Sequence, residues 1–270
     1  SWGNDDLRDD YLTLKYSSSG TLLWAKRYNG PSSKEDIAYS LFLDASGNVY
    51  VTGGSVTNGK GYDMLTVKYN NSGAQQWSAR YDGPAYLDDI SNKVKADNLG
   101  NVYITGPSHG GNSKLDYVTI KYNASGQQQW LKRFNGTAND TDVATSLGLD
   151  AYNNVYVTGY SKSSGAANYD YYTVKYASYD GTQLWANTYN GGAVDKALDI
   201  NVVSNSCIIM QPFREYYELD IPCYAIDVYV TGQSTGTGTS FDFMTIRYDE
   251  NGAQKWANRF NGPTNGNDIA

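Results

Sequence analysis

The six residues Asn48-Val49-Tyr50-Val51-Thr52-Gly53 occur four times in this chain with little change. They return as Asn101-Val102-Tyr103-Ile104-Thr105-Gly106, as Asn154-Val155-Tyr156-Val157-Thr158-Gly159 and as Asp227-Val228-Tyr229-Val230-Thr231-Gly232. A fixed internal period constrains architecture more than any single residue, because each copy must bury itself against its neighbours. The first two intervals are 53 residues and the third is 73, so the fourth unit carries about twenty extra residues.

Each unit reads as four short strands. In the unit opening at Asp36, residues 37–43 form a first strand, 44–48 a turn, and 49–52 a second strand of β-branched and aromatic residues. A Gly/Ser/Asn loop is predicted over 53–61. A third strand over 63–69 ends at the hairpin turn Asn70-Asn71-Ser72-Gly73, and a fourth over 75–81 stops at Asp82-Gly83-Pro84. The third-strand pattern begins at Asp10, Asp63, Asp116, Asp170 and Asp242, whereas the first-and-second pair occurs only four times.

Gly, Asn and Ser interrupt the pattern too often for helical repeats, and small sheets apolar on both faces pack best by radial stacking. The prediction is an all-β fold, a β-propeller of four-stranded antiparallel blades. It has about five blades, one split or partial between the N- and C-terminal ends. A single domain spans 1–270, with units at 1–35 (partial), 36–88, 89–141, 142–194, 195–267 and 268–270 (the start of the closing blade). The extra residues are an insertion at 204–226.

The motifs G-N-V-Y-V-T-G, D-Y-x-T-x-K-Y and S-G-x-x-x-W resemble the bacterial β-propeller repeat family of seven-bladed type. The likeness covers nearly the whole chain outside residues 204–226. It implies the fold and a secreted or cell-surface setting, and it carries no shared catalytic motif. Five third strands rather than seven is a departure from the family pattern.

Composition narrows the function. The net charge is −7, and no Lys/Arg cluster offers the concentrated basic surface that nucleic acid requires. No apolar run approaches membrane-spanning length, so no membrane insertion is expected. Cys207 and Cys223 both lie in the insertion, as expected for one local disulfide in an extracellular protein.

His109 is the single histidine, placed in a predicted loop, which leaves no zinc set and little scope for a histidine-dependent triad. No catalytic residue is assigned, although a glycosidase or lyase needs only two carboxylates. The repeated acids Asp36, Asp89, Asp142, Asp195 and Asp268, with the third-strand set, suggest either turn stabilisation or a cation site. No D-x-D-x-D-G loop is present, so no metal or other cofactor is assigned and calcium is not indicated.

Two sets of binding residues emerge. Trp24, Trp77, Trp130, Trp185 and Trp256 recur in the fourth strands, either as wedges between blades or as sugar-stacking platforms of a lectin. The insertion offers Phe213, Arg214, Tyr216 and Tyr217, residue types enriched at interface hot spots, on a stapled hairpin that either recognises a partner or plugs the ring. The expected function is a non-enzymatic binding or assembly module whose partner is a protein or a glycan. Self-assembly through the unclosed blade is a structural alternative.

Overall fold

A computed structural model describes residues 9–32, 34–57, 61–111, 114–163, 168–209, 221–236, 240–263 and 266–268. Among the described residues the fold is all β, with no helix, in five antiparallel sheets. Sheet I has two strands, β1 (Tyr11–Tyr16) and β2 (Leu22–Tyr28). Sheet II is β3 (Asp36–Leu43), β4 (Val49–Val56), β5 (Tyr62–Tyr69) and β6 (Gln75–Tyr81). Sheet III is β7 (Lys93–Ala96), β8 (Val102–His109), β9 (Leu115–Tyr122) and β10 (Gln128–Phe134). Sheet IV is β11 (Asp142–Leu149), β12 (Val155–Lys162), β13 (Tyr169–Tyr176) and β14 (Gln183–Tyr189). Sheet V is β15 (Asp195–Ile209), β16 (Ile221–Thr235), β17 (Phe241–Asp249) and β18 (Gln254–Phe260). The four-stranded sheets are meanders in chain order, the propeller-like blades that the repeats predict.

One expectation needs correction. The second strand does not end at Thr52: β4 continues to Val56, and β8 runs through His109, which is a strand end rather than a loop residue. The closing glycine of the motif is therefore a strand-interior position. The first strand bulges between Ala38 and Ser40, and its Ile37 carbonyl would lie 1.9 Å from a Cβ at Gly53. The same close approach recurs at Gly106, Gly159 and Gly232. Glycine serves here for backbone proximity, not for a turn.

Turns are closed by side chains. Asp44 Oδ1 accepts the backbone N–H groups of Ser46 and Asn48, while Oδ2 accepts Asn48 Nδ2 and the Tyr50 hydroxyl at 3.0 Å. Asp97 and Asp150 repeat this arrangement. In the fourth unit Val203 stands at that position, so nothing closes the turn and the hairpin runs on.

Adjacent sheets are joined by the fourth-strand tryptophans. Each indole N–H of Trp24, Trp77, Trp130 and Trp185 donates to a turn carbonyl of the following sheet, at 3.0–3.1 Å. The rings also meet a tyrosine of that sheet, Tyr69, Tyr122, Tyr176 and Tyr248 in turn. The left-handed glycines Gly73, Gly126, Gly181 and Gly252 sit over these rings, where a Cβ would come within 2.9 Å of the indole. Third-strand lysines add to the seam: Lys121 Nζ donates to the Ser178 carbonyl at 2.7 Å and lies over the Tyr103 ring.

Two stability outcomes follow from this packing. Trp130→Ala, at a site only 7% exposed, is expected to cost about 3–5 kcal/mol, read from the denaturant midpoint. Gly106→Ala should cost about 3 kcal/mol or more, at or beyond the top of the usual overpacking range. Gly20→Ala, with open space around it but a φ of +82°, should cost only about 1–2 kcal/mol. Equal losses at the two glycines would contradict the close-approach account.

Candidate functional site

In a four-stranded meander the first-to-second and third-to-fourth turns share one end of the sheet, and the remaining connections lie at the other. The turn-bearing end carries the insertion. Strands β15 and β16 are 15 residues each, against four to eight for their counterparts, and remain paired out to Ile209 and Ile221. Cys207 and Cys223 are opposite each other in that register. Phe213, Arg214, Tyr216 and Tyr217 lie outside the described residues.

The hairpin base is anchored on the turn of sheet IV. The Tyr152 ring meets Tyr224 edge-on at 5.5 Å, and its hydroxyl accepts the Tyr224 N–H at 3.2 Å. Ser204 Oγ accepts the Ala151 N–H at 2.9 Å. Below the hairpin, Arg247 reaches Asp227 through Nε and Nη2, at 3.0 and 2.7 Å. Asp227 occupies the place of Asn48, and Arg247 that of Lys68, so this unit exchanges a seam lysine for an internal ion pair.

A groove of about 530 Å³ opens beside it on the same end, between the turns of sheets II and III. Its walls include Phe42, Asp44, Asn48, Lys68, Asp97 and Leu99. Burial would raise the Asp44 carboxyl, but the hydrogen bonds from Asn48, Tyr50 and Ser46 outweigh it and hold the group below the usual range. The groove therefore offers a fixed carboxylate and a lysine beside an apolar wall.

The first strands of successive sheets face one another at one recurring position, Ser40, Lys93, Ser146 and Asp199. Asp199 Oδ1 accepts Ser146 Oγ at 2.6 Å and Lys93 Nζ at 3.2 Å, which links sheet V to sheet III across sheet IV. Ser40 Oγ accepts the Val94 N–H at 3.3 Å. Varied residue types hid this set from motif reading; its 53-residue interval is the signal that could have found it.

The opposite end holds the repeated acids. Asp36, Asp142 and Asp195 open their first strands and Asp89 lies in an isolated bridge before β7; all four are buried, and each accepts the N–H of the glycine in the preceding turn at 2.5–2.6 Å. Burial raises the pKa of all four, and the third-strand acid of the preceding sheet, Asp10, Asp63, Asp116 or Asp170, raises it further. Hydrogen bonds from the paired serine and from the glycine oppose the rise. Arg80 and Arg133 hold Asp63 and Asp116 at 2.8 Å.

The tryptophans are thus gathered at the seams, with Trp24, Trp77, Trp130 and Trp185 held between sheets and Trp256 against Tyr229 of its own sheet.

Residues 129–165 match the family model described as Beta-propeller repeat. The match runs from β10 through β12 and so spans a seam between two sheets, with the motif at Asn154–Gly159 inside it. This agrees with the β-propeller repeat family to which the motifs point. No curated protein matches the chain.

The raised acids have a signed consequence. A carboxyl with a raised folded-state pKa favours folding while protonated, and that contribution is lost as pH rises from the ordinary carboxylate range through the raised value. Asp142→Asn removes this loss. The variant's stability relative to wild type should therefore increase between about pH 4 and pH 7, the side of the ordinary carboxylate pKa on which wild type loses the contribution, as read from urea midpoints. A constant difference across that range would contradict the assignment.

Proposed function

We propose that this protein is a non-enzymatic, extracellular binding module, and that its recognition element is the hairpin over 204–226. One observation carries the reading: among the first-and-second hairpins this one alone extends beyond the common length, and its base is fixed to Tyr152. The insertion carries Phe213, Arg214, Tyr216 and Tyr217, of the types that dominate interface energetics. A Cys207–Cys223 disulfide is part of the proposal. It fits the opposed register and, in the chain-entropy model, would stabilise the hairpin by about 3 kcal/mol while lowering the entropy lost on binding. The sheets are read as blades about an axis near Ser40, Lys93, Ser146 and Asp199.

Assembly is the second reading, favoured by sheet I. Leu14 and Tyr16 are 41% and 54% exposed, whereas their counterparts Val67 and Tyr69 are at most 3% exposed because sheet I covers them. The equivalent partner for sheet I is another sheet of the same kind. The tryptophan lectin reading is weaker, since the seam contacts engage those rings.

The test compares the whole chain with a version in which 204–226 is replaced by Ala-Ser-Gly, on a glycan array and in pull-downs from cell-surface extracts, without reductant. Ligands lost by the shortened chain, with its unfolding midpoint within a few degrees of the parent, are expected. Ligands retained by both would move the site to the groove or the tryptophans. Mass spectrometry should find residues 207 and 223 cross-linked, and two free thiols in the oxidised protein would refute the disulfide.

A further inference from the structure

We propose that the end of sheets IV and V opposite the long hairpin binds one oxyanion, a carboxylate or a sulfate, through Lys162 and Lys196. The residues concerned come from three sheets. Lys114 precedes β9, Asp140 lies in the turn between β10 and β11, Lys162 closes β12, and Lys196 follows the first residue of β15. Lys162 pairs with Tyr169 and Tyr160 pairs with Tyr171, so all four share one face of sheet IV. Tyr171 packs into the core of sheet V, which makes this the face that meets sheet V. Lys196 reaches it from there: its Nζ lies 4.8 Å from the centre of the Tyr160 ring and 4.9 Å from that of Tyr169. The two rings meet edge-on at 5.2 Å.

The charges around this face do not balance. Asp140 accepts Lys162 Nζ at 2.7 Å and Lys114 Nζ at 3.0 Å. Those bonds, first the one from Lys162, hold its carboxyl well below the usual range, so a single negative charge serves two ammonium groups. Among the described residues no carboxylate pairs with Lys196; the tyrosine rings attract its ammonium but carry no charge to neutralise it. The neighbouring buried acids are accounted for elsewhere. Asp142 and Asp170 both pair with Ser161 and so belong to the other face of sheet IV. Asp195 accepts the Gly191 N–H and the Ser234 hydroxyl and is offset by Arg259. Three lysines against one carboxylate thus leave a local positive excess in a chain of net charge −7. Among the described residues the hydroxyls of Tyr160 and Tyr169 have no hydrogen-bond partner, so both can donate to an anion beside the ammonium groups.

The repeat itself requires none of these charges. Where Lys196 stands, the other first strands carry Ile37, Ile90 and Val143. Where Lys162 stands, the other second strands carry Val56, His109 and Thr235. Asp140 takes the place of Lys34, Leu87 and Ala193. Independent departures that meet at one place are the mark of a site rather than of the unit, since a residue serving the unit recurs in every copy. Their distance apart in sequence hides them from motif reading, and only the stacking of sheets III, IV and V brings them together.

The experiment is titration calorimetry on the full chain at low ionic strength with acetate, sulfate and glucuronate, and with glucose as the neutral control. Lys196→Ile and Lys162→Val are titrated alongside, each installing a residue that another sheet carries at that position. Saturable binding of an anion and none of glucose is expected, with affinity falling as sodium chloride is added. Each variant should weaken binding about tenfold or more, the effect of losing one hydrogen bond to a charged group, with its circular dichroism spectrum unchanged. If one variant does not fold, the other decides. Glucuronate binding more tightly than acetate would show an anion carried on a sugar ring, and equal affinity a bare oxyanion; either supports the site. The chain with Ala-Ser-Gly in place of 204–226 should bind the anion as the parent does, so this site stands or falls apart from the hairpin. No saturable binding of any anion up to about 30 mM, beyond the millimolar range of a weak single contact site, would overturn the proposal. Folded variants that bind like the parent, or loss of binding on removal of 204–226, would do so as well.

Discussion

The seam between sheets depends on one contact, a fourth-strand indole that crosses to the next sheet. It donates a hydrogen bond to that sheet's turn carbonyl, packs on its tyrosine, and lies beneath its left-handed glycine. Small sheets apolar on both faces have no stability of their own, so whatever fixes their relative position fixes the fold. Tryptophan suits this place because it brings a large apolar area together with one directed donor. Lysine stems and tyrosine rings then fill the same seam at each junction from sheet I onward.

The two ends of the sheets have different chemistry. One end collects short side-chain-capped turns, the groove at Asp44 and Asp97, and the long hairpin. The other collects buried acids that join each sheet to the turn before it. At the first end Asp44, Asp97 and Asp150 each satisfy several donors. The second end stores electrostatic cost in paired carboxylates.

Departures from the repeat mark where the chain becomes individual. Val203 in place of an aspartate releases a turn into a hairpin. Asp227 and Arg247, in place of Asn and Lys, turn a seam contact into an ion pair. Asp82 in place of asparagine adds a third carboxylate to a recurring pair. Each is a single change against a constant background, and each alters local chemistry without altering the sheet.

Sequence alone determined the strand order, the fourth strands at Gln75–Tyr81 and their equivalents, the all-β class and the position of the insertion. These follow from local chemistry: period-two alternation, turn residues and a repeated motif act within a few residues of one another. Tertiary structure decided what adjacency in sequence cannot. Gly53 reads as a loop residue until the Ile37 carbonyl is seen against it. Trp77 reads as wedge or platform until the sheet carrying Tyr122 is seen against its ring. Asp63 and Asp89 become neighbours only across a seam, where burial rather than sequence spacing sets their chemistry.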